Sequence, residues 1–417
     1  MRKRELIVLT FMSLAAVTAP AAAGSTCQPD GTQASGAQYR ICMPDAGHWN
    51  GDLVLYAHGY VAFNAPPGIP EDQLKLPDGT SVPGIINGLG FAFATTGYSK
   101  NGLAVREGID DLIDLVGIFG TAIGPPQHVY LVGPSEGGIV TALLVERHPE
   151  VFTGGLAACG PIGDFRGQIN YIGDFRVIFD YFFPGLIPGT PDAIPDEVIQ
   201  NWDTVYVPSI KAAIAAYPSR TAQLLKVTHA PVGTDPSTVE KTVVDVLWYN
   251  VFGTNDAKAE LGGQPFDNTQ RLYLGSDNDL LLNLFARRLA AEAPALTEIH
   301  AYQTTGALAR PLVTLHTTGD PIIPYGHEPL YGLKTLLAGS AALHANFPVM
   351  RYGHCQFTAP EVVFGFFVLL LEAQAQPIAV DGVLPDAASR QQFDSLLRQH
   401  GVTPPWRPGA IAARRAL

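Results

Sequence analysis

The chain predicts an α/β architecture: a mostly parallel sheet with helices on both faces, interrupted by a long, largely helical insertion. Three observations carry this. Short continuous apolar runs alternate with helix-like stretches from Asp52 to about Gly160. The pattern then breaks near Pro161 into aromatic- and proline-rich helical patches. It resumes at Pro311-Leu312-Val313-Thr314-Leu315-His316. Strand and helix in alternation imply parallel strands with helices packed on both sides. The proposed organisation is 24–160 and 310–376 for the sheet-bearing core, 161–309 for the insertion, and 377–417 for a C-terminal tail.

The elements follow in order. Leu53-Val54-Leu55-Tyr56-Ala57 and Phe91 to Thr96 are apolar throughout, as strands buried on both faces should be. Ala104 to about Gly120 places Leu112, Leu115, Val116 and Phe119 on one helical face. His128 to Val132 reads as a strand, Gly138 to Arg147 as a helix, and Gly155 to Cys159 as a strand. Beyond the insertion come a helix near Leu330 to Leu337, a strand at Phe347 to Tyr352 and a helix from about Ala359 to Ala373. Val362 to Leu371 is apolar but too short to span a bilayer, which suggests a buried core helix. Asp386 to Gln399 could be helical, and Pro404 to Leu417 looks loose. Ile-Gly-Asp-Phe-Arg occurs twice, at Ile162 to Arg166 and Ile172 to Arg176; the sequence supplies no mechanism for the repeat.

Composition narrows the class. The 417 residues are 47% hydrophobic and 15% charged, enough for a sizeable core. Arg2, Lys3 and Arg4, an apolar stretch from Leu6 to about Val17, and Ala21-Ala22-Ala23 read as a signal peptide over 1–23. Removing that segment takes a net +2 (Arg2, Lys3, Arg4 and Glu5) from −12, leaving −14. Such an acidic chain, without a basic cluster carrying interleaved aromatics, argues against nucleic acid or anionic membranes as partners. A retained membrane anchor is the alternative for the N-terminal segment. Gly24-Ser25-Thr26 before Cys27 lacks the leucine of a lipoprotein signal, so no stable membrane anchor is expected.

Four cysteines in an exported chain favour two disulfides. Cys27 and Cys42 flank a turn-rich segment and could close a local hairpin, which leaves Cys159 with Cys355. Buried free thiols at Cys159 and Cys355 are the alternative. No Cys or His spacing suits zinc, and Asp277-Asn278-Asp279 lacks the ligand spacing of a calcium loop. No cofactor or metal is expected.

Gly133-Pro134-Ser135-Glu136-Gly137 lies between strand-like and helix-like runs. Alone this pattern is a weak signal, but strand-turn-helix is the context a nucleophilic serine at a tight elbow requires. A serine hydroxyl needs a base, and the base an orienting acid. Asp320 follows one later strand and His354 follows the last, so both belong where ligands bind on open α/β sheets. His58, His128, His316, His327 and His344 lie elsewhere in the pattern. The oxyanion site should take N–H groups from Glu136, the residue after the serine, and from Tyr60 in His58-Gly59-Tyr60-Val61.

These pieces together resemble an α/β-hydrolase-fold serine hydrolase of the esterase and lipase kind. The resemblance covers about residues 45–160 and 310–375. It implies Ser135 as nucleophile, His354 as base and acid, Asp320 as its orienter, and the insertion as a cap. Cys355 beside the histidine is similar to the tannase and feruloyl-esterase group. Pro134 stands where that group has cysteine, however, so the chain is not assigned there. A Cys159–Cys355 bridge is still expected, because both lie just beyond strand ends on the active-site side. The reaction class implied is hydrolysis of a small or polymeric carboxylic ester. The cap aromatics Tyr171, Phe175, Phe179, Tyr181, Phe182, Phe183, Trp248 and Tyr249 suit an acyl pocket, or simply the cap's own core. The alternatives are an exported prolyl- or aminopeptidase-like enzyme of the same fold, and a binding protein that has lost catalysis.

Overall fold

The computed structural model describes residues 25–375, 378–380, 382–384 and 386–402. The expected signal peptide and the last stretch of the tail lie outside the described residues. Strands β1 (Ser25–Cys27), β2 (Gly31–Thr32) and β3 (Gln38–Pro44) open the chain. β4 (Leu53–Tyr56), β5 (Ala92–Thr96), β6 (Val129–Pro134) and β7 (Gly154–Ala158) follow, then β8 (Leu312–Gly319) and β9 (His344–Tyr352). One sheet holds them in the order β1-β3-β5-β4-β6-β7-β8-β9, with β2 paired to β3. β3 runs antiparallel to β5, and every pairing from β5 through β9 is parallel. Leaving β2 aside, this is the strand order of the α/β-hydrolase fold.

Side-chain alternation decides which helix covers which face. Leu53 and Leu55 of β4 join Ala92, Ala94 and Leu131 in one buried cluster. That cluster is closed by α2 (Val105–Ala122) and α3 (Glu136–Arg147). Val54 and Tyr56 point the other way, with Phe93, Tyr130 and Val132. Their cover is α1 (Val82–Gly88) and two helices near the C-terminus.

Between β7 and its parallel neighbour β8 the chain is helical. It contains α4 (Phe165–Phe182), α5 (Asp196–Gln200), a π-helical turn at Trp202–Tyr206, α6 (Val207–Ala216) and α7 (Pro218–Thr228). The long α8 (Ser237–Glu260), α9 (Asp279–Phe285) and α10 (Ala293–Glu298) complete it. This excursion has its own buried cluster, including Phe175, Phe179, Trp202, Val246 and Phe252. Its last part differs: Ala295, Ile299, Tyr302 and Leu308 pack into the sheet-side cluster instead. Helix α4 bridges the two and carries the phenylalanines of both copies of Ile-Gly-Asp-Phe-Arg, which take different surroundings. Ten residues along a helix turn a side chain by about 80° net, so the copies face differently. Phe165 stacks on Tyr302 against the sheet layer, whereas Phe175 enters the excursion's own core.

Three helices close the fold: α11 (His327–Ala338), α12 (Ala359–Glu372) and α13 (Ala387–Gln399). The apolar run of α12 is buried against the sheet, and Thr358 with Glu361 forms a capping box at its start. The described part of the tail is not peripheral. Val380, Val383, Leu384, Phe393 and Leu397 are buried on the same face as α12. Phe393 and Leu397, one helical turn apart, supply the apolar stripe that docks α13.

Candidate active site

Ser135 occupies the apex of a strained turn. It follows β6, opens α3 and holds φ 57° with ψ −123°. A non-glycine residue in so sparsely populated a region stores about 1–3 kcal/mol. Its neighbours allow the turn by lacking side chains. A Cβ on Gly133 would lie 2.1 Å from the Gly137 carbonyl oxygen, and one on Gly137 1.9 Å from that of Ala57. The Ser135 N–H donates to Ala158 O at 2.8 Å, tying the elbow to the end of β7.

The structure brings Asp320 and His354 to this serine. Asp320 leaves the end of β8 and is fully buried. Its Oδ1 accepts from the N–H groups of Ile322 (2.9 Å) and Ile323 (3.0 Å). Its Oδ2 lies 2.7 Å from His354 Nδ1, and His354 Nε2 lies 2.8 Å from Ser135 Oγ. A carboxylate only accepts, so Nδ1 donates to Asp320, and in the neutral ring Nε2 is left to accept from the serine hydroxyl. Below the acid, buried His316 places Nε2 3.7 Å from Asp320 Oδ2. Its Nδ1 meets Glu328 Oε1 at 3.0 Å and its Nε2 the Ile323 carbonyl at 2.8 Å. Burial alone would lower the His316 pKa, but the hydrogen bond and charge of Glu328, then Asp320, make the net shift upward.

All four cysteines are paired. Cys27 joins Cys42, directly opposite across β1 and β3. Cys159 joins Cys355 with Cα atoms 5.6 Å apart, linking the loops after β7 and β9. Both of these residues hold positive φ, 46° and 51°, and Cys355 Sγ lies 3.6 Å from His354 Nε2. Among the described residues, Cys159, His354 and Cys355 also form a group with metal-ligand spacing. Its sulfurs are bonded to each other, so it offers no thiolate.

The loop after β4 presses on the serine: a Cβ on Gly59 would lie 3.1 Å from Ser135 Cβ. Gln73 fixes this loop. Its Oε1 accepts from the Gly59 N–H at 2.7 Å, and its Nε2 donates to Tyr60 O at 3.2 Å. Tyr56 Oη holds the Gln73 carbonyl at 2.7 Å. With the Gly59 N–H engaged, Tyr60 is the residue of this pair whose N–H can serve a ligand. Its hydroxyl donates to Phe252 O at 2.9 Å, tying the loop to α8. Glu136 is the first residue of α3, so its N–H has no intrahelical acceptor.

The Glu136 side chain turns the other way, into the protein. Its Oε1 accepts from the Ala104 N–H at 2.9 Å, at the start of α2. Burial pushes its pKa up to about 8, opposed by that hydrogen bond; Asp256 and Glu107 add to the rise and Lys100 opposes it. Asp256 accepts from the Leu103 N–H at 2.6 Å, and Lys100 pairs with Glu260 at 2.6 Å. The sequence did not mark Gln73, which sits in a Pro- and Gly-bounded loop like any polar turn residue. Nor did it mark the burial of Glu136, since glutamate reads as exposed.

No known family model matches the sequence, and no curated protein is similar to it. Among solved structures, the chain is similar to LipA, a rice cell wall degrading esterase from Xanthomonas oryzae. Identity there is 12% over 80% of this chain and 84% of that one, with a TM-score of 0.42. Candida antarctica lipase A in its closed state shows 16% identity over 90% and 86%, with a TM-score of 0.45. Pyrococcus horikoshii acylaminoacyl peptidase shows 9% identity over 80% of this chain but 38% of its own, with a TM-score of 0.39. The fold assignment rests on strand order and elbow geometry.

Proposed function

We propose that the protein is an exported serine hydrolase that cleaves carboxylic esters through an acyl-enzyme on Ser135. The observation that carries the reading is the relay of 2.7 and 2.8 Å from Asp320 through His354 to a serine at a strained elbow. In this reading Ser135 Oγ attacks the ester carbonyl while its proton passes to His354 Nε2. Negative charge develops on the carbonyl oxygen, where the N–H groups of Tyr60 and Glu136 would meet it. As the carbon–oxygen bond breaks, His354 returns the proton to the departing alcohol. Water then attacks the acyl-enzyme by the same route and releases the acid. Asp320 keeps Nδ1 protonated and oriented. Export is supported by the leader-like N-terminus and by two disulfides.

A fluorophosphonate probe should label wild-type protein at Ser135 and leave Ser135→Ala unlabelled. Hydrolysis of p-nitrophenyl esters should fall at least about 10³-fold with the same substitution, leaving the residual catalysis of binding and the oxyanion site. Undiminished turnover in Ser135→Ala would refute the nucleophile. Faster cleavage of aminoacyl or peptidyl anilides than of esters would move the assignment to a peptidase of the same fold.

A further inference from the structure

Ser135 lies where two chambers meet. The narrower, about 150 Å³, runs between the elbow, α4, α8 and the turn at Phe266, with Leu103, Phe165, Ile169 and Ile172 in its wall. The wider, about 510 Å³, is lined by Gly59, Gln73, His354 and Gln356. Tyr60, Ser135 and Tyr249 line both, whereas His354 lines the wider one and not the narrower.

We infer that the narrow chamber holds the acyl group and the wide chamber the alcohol, so that the preferred substrates are esters of apolar acids of about six carbons. This rests on the acyl-enzyme reading above. The direction follows from proton delivery. His354 must hand its proton to the leaving oxygen, so the alcohol departs on the side His354 faces. The acyl group then extends to the other side, past Tyr60 and Glu136.

Most polar side chains of the narrow chamber are already engaged, which leaves few handles for a charged or hydroxylated acid. Gln264 is engaged at both ends of its amide by Phe266. Gln168 donates to Ile322 O and meets His327 with its oxygen. The Asn250 amide donates to Pro191 O and accepts from Arg176. Glu136 holds the Ala104 N–H. What remains exposed to an occupant is mostly apolar. An apolar cavity of about 150 Å³ accommodates a molecule of benzene's size, which sets the scale of the acyl group.

Gly253 is the second, independent sign. It lies inside α8, where glycine weakens a helix relative to a residue with a side chain. A Cβ there would meet nothing closer than the Tyr60 hydroxyl at 4.0 Å. No neighbour forbids a Cβ there, and a longer side chain would grow into the chamber on the side of Tyr60.

The test is a series of p-nitrophenyl esters from acetate to dodecanoate, with the leaving group held constant. In wild type, kcat/KM should rise about four-fold per added methylene, peak near hexanoate or benzoate, and fall for longer chains. Gly253→Leu should lower the hexanoate-to-acetate ratio at least ten-fold, and Ile172→Ala should move the optimum to longer acids. Each ratio is taken within one variant, so partial misfolding cancels. Against a hexanoyl series with alcohols of increasing size, Gly253→Leu should leave the relative rates unchanged. A shifted alcohol ranking with an unshifted acyl ranking would reverse the assignment. Equal hydrolysis of all acyl lengths in wild type and both variants would overturn it while leaving the esterase reading intact. Failure to hydrolyse any ester would remove both.

Discussion

Glu136→Gln deletes an ionisable group from directly behind Ser135 while keeping an oxygen to accept from the Ala104 N–H. The folded protein holds this carboxyl at a pKa of about 8, against an ordinary value of 4.5. Between those values the folded state retains a proton that the unfolded chain has released, so stability declines as pH rises. The contribution is fully present below the unfolded value and is lost as pH climbs through the folded one. At about 1.4 kcal/mol per pH unit, roughly 3 kcal/mol is gone by pH 7 and roughly 5 above pH 9, the latter a ceiling. Urea denaturation of both proteins at pH 5, 7 and 9 measures it. The wild type should lose about 3–5 kcal/mol more than Glu136→Gln across that range. Contributions from Asp256 and Glu107, whose pKa values burial also raises, are present in both proteins and largely cancel. Parallel pH dependences, within about 0.5 kcal/mol, would show that the carboxyl is not held protonated and would refute the argument.

Gln73→Ala should lower kcat about 10- to 100-fold with a smaller change in KM, because it frees the Gly59–Tyr60 peptide without deleting an oxyanion donor. Steady-state kinetics at fixed pH reads this, and an unchanged kcat would leave Gln73 without a positioning role. Replacing Cys159 and Cys355 together by alanine reopens a loop of 196 residues, which in the chain-entropy account is worth up to about 5 kcal/mol. The melting temperature should drop and turnover should fall further than stability alone explains, since the bridge abuts His354; turnover equal to wild type at low temperature would exclude that second effect. Arg176→Met strands Asp180, the Asn250 oxygen and the Ile187 carbonyl, and should cost about 3–5 kcal/mol in urea unfolding. A loss below 1 kcal/mol would mean that Met fills the site as well as the guanidinium does.

The parts of this protein legible in sequence are those with a short-range signature. The runs at Leu53 and Val129 read as two-sided strands from their length and apolar character, and the glycines around Ser135 announce a tight turn. Asp320 and His354 were findable because strand ends set where partners must lie. Gln73 was not, because its importance arises from a loop that brings it back against Gly59, a contact without local pattern. Arg176 reads as a surface residue until Asn250, on another helix, supplies its acceptor. Gly253 did carry a signal, a glycine inside a helical stretch, but only the chamber beside it gives that glycine a meaning. The C-terminal helix was half visible: Phe393 and Leu397 have the right spacing, while the buried Val380 to Leu384 region lies in a stretch with no periodicity.

The cysteine connectivity bears on how the chain reaches this state. Cys27 and Cys42 face each other across one hairpin, 15 residues apart in sequence, whereas Cys159 must wait for Cys355 across the whole excursion and two further strands. A chain that emerges N-terminus first presents its hairpin pair long before the others exist. Early closure of that pair removes two of the three possible pairings, leaving Cys159 and Cys355 only each other. The native spacing of the late bridge, with Cα atoms 5.6 Å apart, is set by where the ends of β7 and β9 stand in the sheet. The bridge that joins distant parts of the chain is also the one beside His354, so free thiol at Cys159 and Cys355 would report on assembly of the proposed site.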